Sequence, residues 1–167
     1  MAIELTFYMN APVSSSELLA GAREVLASHA GSGSGLDSDL DSNSGSGSGS
    51  GLDSRAGVDA CEAHIGALGN EIRREALGFE ATCGLRFRLH KRSSMSQQIL
   101  AILDATLRLL ERQAGDAALL FDGEIVYFVR REGVLAINTT DETDARWSPD
   151  RISLLRGPYI RRAFDVI

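Results

Sequence analysis

Three histidines, two cysteines and two groups of carboxylates are the residues of this chain whose chemistry would declare an enzyme or a metal protein. His29 falls at the end of an expected helix, and His64 and His90 lie on or near expected strands. None stands beside a cysteine or serine in a nucleophile motif, and no HxxxH or HxH spacing offers a ligand pair. Asp37-x-Asp39-x-Asp41-x-Asn43 begins like a calcium loop, but Ser42 stands where the turn glycine belongs and Ser48 where the closing glutamate belongs. No glycine-rich phosphate loop follows a strand. Asp141, Glu142, Asp144 and Asp150 cluster between elements, where carboxylates are ordinarily solvated. The expectation is a non-enzyme with no catalytic, cofactor or metal site.

Two other groupings suit protein recognition. Arg86, Arg88 and His90 alternate with Leu85, Phe87 and Leu89, which makes a basic stripe on one side of a strand. Glu4, Thr6 and Tyr8 hold the matching side of the first strand, so the sheet is expected to turn one polar face toward water or a partner. The plainer alternative is a solvated face with cross-strand charge pairs. In the second grouping, Trp147 and Tyr159 sit near Arg161, Arg162 and the acidic loop around Asp144, a composition found at interface hot spots. Against it, a lone tryptophan in a small domain is more often a packing anchor. The candidate partner contacts are Arg86, Arg88, His90, Asp144, Trp147 and Tyr159.

Composition narrows the class of partner. The chain has 167 residues, of which 44% are hydrophobic and 24% charged, as a globular protein requires. Its net charge is −6, but Asp37, Asp39, Asp41 and Asp53 supply four of those charges within residues 31–54, which have no basic residue, leaving the remainder at −2. So mild a balance argues against a nucleic-acid surface and against anionic membranes. Cys61 and Cys83 are too few for a disulfide framework and lack metal spacing. The start Met-Ala-Ile-Glu-Leu-Thr shows no secretory signal, and no apolar run has membrane-spanning length, so a cytoplasmic location is expected.

Periodicity supplies the scaffold. Ile3 to Met9 alternates as a half-buried strand, and Ser14-x-x-Glu17 makes a capping box for a helix that buries Leu18, Ala22, Val25 and Leu26. From Gly31 the chain is almost only Gly, Ser, Asp, Asn and Leu, so residues 31–56 read as a disordered loop inserted in one domain spanning 1–167. A weak strand is expected at 57–66, a short helix at 69–77 stopped by Gly78, and a strong strand at 82–91. Ser94-x-x-Gln97 caps the next helix, which carries Met95, Ile99, Ile102, Leu103, Thr106 and Leu110 on one stripe and ends at Gly115.

Asp122-Gly123 joins the strands 117–121 and 124–130 as a two-residue hairpin, the second strand being apolar enough for cover on both sides. Glu132-Gly133 turns into a strand at 134–138, and Ser148-Pro149-Asp150 opens a short helix closed by Gly157-Pro158. The order β-α-β-β-α-β-β-β specifies an α+β fold: a mainly antiparallel sheet with two main helices packed on one face.

Several of these stretches carry a family likeness. Leu77-Gly78-Phe79-Glu80, Phe87-Arg88-Leu89, the run from Gly115 to Glu124, Val129-Arg130-Arg131-Glu132-Gly133, Leu135 to Asn138, Trp147-Ser148-Pro149 and Pro158-Tyr159 resemble the immunity proteins of the myxobacterial swarming-inhibition toxin system. The likeness covers residues 77–167, with weaker support from the first strand and helix. It implies a protector whose partner is a cognate protein toxin delivered between related cells, neutralised by stoichiometric binding. A small-molecule-binding or regulatory module is the alternative function, and a hydrolase acting on the toxin or its product the third. No residue role follows from the likeness.

Overall fold

The computed structural model describes residues 3–31, 58–91, 93–139 and 145–164. The Gly/Ser tract from residue 32 onward and Asp144 lie outside the described residues. The chain runs β1 (Ile3–Asn10), α1 (Ser15–Gly31), β2 (Val58–Glu62), α2 (Ala67–Leu77), β3 (Cys83–Leu89), α3 (Met95–Arg112), β4 (Asp116–Phe121), β5 (Ile125–Arg131) and β6 (Val134–Asn138). A 3-10 turn (Ala145–Trp147), α4 (Pro149–Ile152) and β7 (Tyr159–Arg162) complete it. Seven strands form one sheet in the order β2-β3-β1-β4-β5-β6-β7. Every neighbouring pair is antiparallel except β6 and β7.

The α+β class and the two-helix face are as expected. Leu5, Phe7 and Met9 point from β1 into the main core, where Leu18, Ala22 and Val25 of α1 meet Ile99, Ile102 and Leu103 of α3. Eleven residues of α3 are buried, which makes it the principal cover of the sheet. Phe7, Phe87 and Phe128 are the largest fully buried side chains, and truncating one to alanine costs about 3–5 kcal/mol in such a core.

The capping box at α1 forms in both directions. The Ser14 amide donates to Glu17 Oε2 at 2.9 Å and the Glu17 amide to Ser14 Oγ at 3.2 Å. These bonds from Ser14 hold the Glu17 carboxyl below its ordinary pKa. At α3 the expected box is absent, since Ser94 makes no side-chain cap bond. Buried Gln98 acts instead: its Oε1 accepts from the His90 amide at 2.7 Å, and its Nε2 donates to the carbonyls of His90 and Ser93. One amide group therefore ties β3 to α3 and fixes the intervening turn.

Three further differences from the sequence reading have physical causes. The β4–β5 ladder resumes at Phe121↔Ile125, so three residues separate the strands rather than two. Asp122 and Gly123 both have positive φ, 49° and 79°, and the Glu124 amide closes the turn on the Phe121 carbonyl. Second, the register slips between Leu119 and Leu120, where Tyr127 is the extra residue of a bulge. Tyr127 and Phe128 consequently both face the main core, and the residues after them change sides. Third, the expected order omitted β7, whose four residues are mostly exposed and leave little apolar pattern to read.

The second face of the sheet is not uniformly open, which corrects the expectation of a bare polar face. Leu77, Phe79 and Ala81, from the end of α2 and the segment after it, cover Tyr8, Ala118, Leu120 and Val129 in a smaller core. Gly78 stops α2 with φ 76°, and its amide donates to the Arg74 carbonyl. The cover is central, so the face is left open on either side of it.

Candidate interaction surface

Strand pairing builds the surface row by row. Register places Asp59, Arg88 and Glu4 side by side across β2, β3 and β1, and Cys61, Arg86 and Thr6 in the next row. Alternation directs these side chains away from the main core, because Ala60, Phe87 and Leu5 between them point into it. Arg86 and Arg88 are exposed as the period predicts. His90 is exposed too, but it lies one residue past the end of β3.

Two of these three side chains are already engaged. Arg88 donates through Nε and Nη2 to Glu4 Oε1 at 3.1 and 3.0 Å. His90 Nε2 lies 3.0 Å from Asp59 Oδ2. Both pairs are solvent-facing and contribute at most about 1 kcal/mol each. Arg86 makes no ion pair among the described residues. Its guanidinium is charged at any ordinary pH, and Cys61 opposite, with Glu4 beyond it, raises its pKa further.

Arg86 borders a cleft of about 310 Å³ whose other walls include Thr6, Tyr8, His64 and two carboxylates, Asp122 and the Glu4 that Arg88 already pairs. Asp122 is anchored: its Oδ1 accepts from the Glu4 amide at 3.0 Å, and its own amide donates to the Glu4 carbonyl at 2.8 Å. Gly84 lets β1 approach beneath the cleft, since a Cβ there would stand 3.0 Å from the Phe7 carbonyl oxygen. A rigid rim, a fixed cation, hydroxyls and an imidazole can accept an acidic side chain of a partner.

The remaining candidates are elsewhere. Trp147 is 5% exposed and packs 6.4 Å from the Tyr127 ring, inside the main core. That makes it the packing anchor, and it offers no docking surface. Tyr159 opens β7 beside Leu135 and is half-buried against the same core. Asp144 lies outside the described residues. Arg86, Arg88 and His90 thus stay together, while Trp147 and Tyr159 do not join them.

Sequence reasoning missed a second opening on the far side of α2. It has a volume of about 400 Å³ and is lined by Leu77, Val129, Val134, Ala136, Ile160 and Phe164 among others. Val134 and Ile160 are each 51% exposed. The signal lay in the alternation of Val134 with Leu135, which puts one of the two on each face.

Among the described residues no group of three or more side chains gathers to hold a metal ion, and no helix is long and apolar enough to cross a membrane. Cys61 is exposed and Cys83 buried, and both are free thiols. A family model described as SitI3-like matches residues 3–151. The chain belongs to the SitI3-like family. That match runs from β1 into α4, so it takes in β1 and α1, which the sequence likeness reached only weakly, and β2, which it did not reach. Membership is consistent with an immunity-type protein of the swarming-inhibition kind. No curated protein and no solved structure matches this SitI3-like chain.

Proposed function

We propose that this SitI3-like protein is an immunity protein that neutralises a cognate, contact-delivered toxin by binding it stoichiometrically in the cytoplasm, without chemistry of its own. Its protection would let a producer survive exchange with related cells. The observation that carries the reading is Arg86, which makes no ion pair among the described residues, beside a cleft whose rim is anchored at Asp122. An acidic side chain of the toxin fits that place. Arg88 and His90, each already paired, supply the surrounding rim, where charges steer encounter more than they hold the complex.

Arginine in a desolvated contact is a frequent hot spot, so reversing Arg86 should weaken the complex by about 2 kcal/mol or more. The experiment is calorimetric titration of the toxin domain encoded by the neighbouring reading frame into the wild-type protein and Arg86→Glu. A one-to-one complex that Arg86→Glu weakens supports the reading. Heat from metabolites but none from the toxin would favour a small-molecule-binding module instead.

A further inference from the structure

We propose that the free edge of β7 accepts an extended acidic segment of a partner protein as an eighth strand. β7 ends the sheet, and among the described residues its outer edge pairs with nothing. An unpaired edge presents backbone donors and acceptors that another chain can complete. Proteins commonly blunt such edges, and arginines do part of that here. The apolar side chains do the opposite. Ile160 and Val134 are two of the three exposed large hydrophobic residues described, and both border the opening beside α2.

Charge decides the kind of occupant. Arg161 and Arg162 are exposed and make no ion pair among the described residues. The Arg162 guanidinium instead lies 5.3 Å from the centre of the Phe164 ring. Neighbouring strand residues point to opposite faces, so the two arginines put positive charge on both sides of the edge. A segment with carboxylates on both sides and a small apolar residue over Ile160 matches that pattern. A second copy of this chain matches it poorly, because edge-to-edge pairing would gather four arginines in one short ladder. This site shares no residue with the Arg86 cleft, and either can fail without the other.

The test uses the full chain and two capped peptides, Glu-Val-Glu-Glu-Val-Glu and its lysine counterpart, followed by amide NMR and hydrogen exchange. The acidic peptide should bind at least about tenfold tighter than the basic one, should slow exchange of the residue 159–162 amides, and should weaken with salt. Arg161→Glu/Arg162→Glu should invert the preference while leaving the melting temperature of these surface positions nearly unchanged. Failure of the acidic peptide to bind, equal binding of both peptides, or protection confined to other strands overturns the proposal. A dimer in sedimentation that Ile160→Asp dissociates would also overturn it, since the edge would then belong to a second copy.

Discussion

Arg130 and Arg131, adjacent on β5, close the ends of two helices on opposite faces of the sheet. Arg130 donates to the carbonyls of Leu110, Gln113 and Gly115 at 2.5, 2.7 and 2.7 Å, which gathers the end of α3. Arg131 donates through Nη1 to the Leu77 carbonyl at 2.8 Å, at the end of α2, and its Nε contacts Asp116. The bulge at Tyr127 sets this arrangement, because it decides which face each arginine meets.

Arg130→Lys should therefore destabilise the fold more than its conserved charge suggests. Burial already pulls the Arg130 pKa down against the opposing pull of Asp116, so this cation is held by its three carbonyls. A lysine cannot reproduce the planar fork, and the expected loss is about 2–3 kcal/mol in urea unfolding. A change below about 0.5 kcal/mol, the ordinary range for surface substitutions, would show that the carbonyls find water instead.

Gly78 and Arg131 should be coupled. A Cβ on Gly78 would collide with Arg131 Nη1, and φ there is 76°. Gly78→Ala should cost about 1–2 kcal/mol for the left-handed backbone alone, with a further loss from displacing the cap. In an Arg131→Ala background only the backbone part should remain, and strict additivity in the double-mutant cycle would refute the coupling.

Acid should unfold the protein partly through Asp104. Burial pushes this carboxyl up, but hydrogen bonds and charge from Arg108 and His29 outweigh it and leave the pKa below the ordinary value. His29 Nε2 lies 2.9 Å and Arg108 Nε 3.0 Å away, so Asp104 links α1 to α3. With the folded pKa below the unfolded one, the unfolded chain binds more protons as pH falls through that window. The contribution is complete above the unfolded value of about 4 and is lost below it. Asp104→Asn should flatten the acid limb of the stability–pH curve; an unchanged limb would remove Asp104 from the account.

Trp147 should behave as a core residue. Its emission should be blue-shifted and resist iodide quenching, and Trp147→Phe should lower stability while leaving toxin affinity unaltered at a permissive temperature. Full quenching accessibility would place it at the surface.

Much of this was legible in the sequence because it is local. The Ser14–Glu17 box, the Asp122-Gly123 and Glu132-Gly133 turns and the alternation of β1 and β3 each arise within a few residues. What escaped depends on the tertiary arrangement. Gln98, not Gln97, closes the entry to α3 because the His90 carbonyl and amide are carried there by β3. The bulge at Tyr127 left no mark in an unbroken apolar run. The helix at 69–77 was expected, but its placement on the second face was not, since short helices do not declare which side of a sheet they cover. In the recognition surface, Arg86 and Arg88 were visible by period. That only Arg86 lacks a carboxylate depends on the pairing of β1, β2 and β3.

The most direct test is to titrate a fixed amount of active toxin with this protein and follow the toxin's activity. Neutralisation by occupancy predicts a linear fall with its break at one protein per toxin, restored when Arg86→Glu replaces the wild type. Silencing of many toxin molecules by one protein molecule would contradict it, because that result requires turnover.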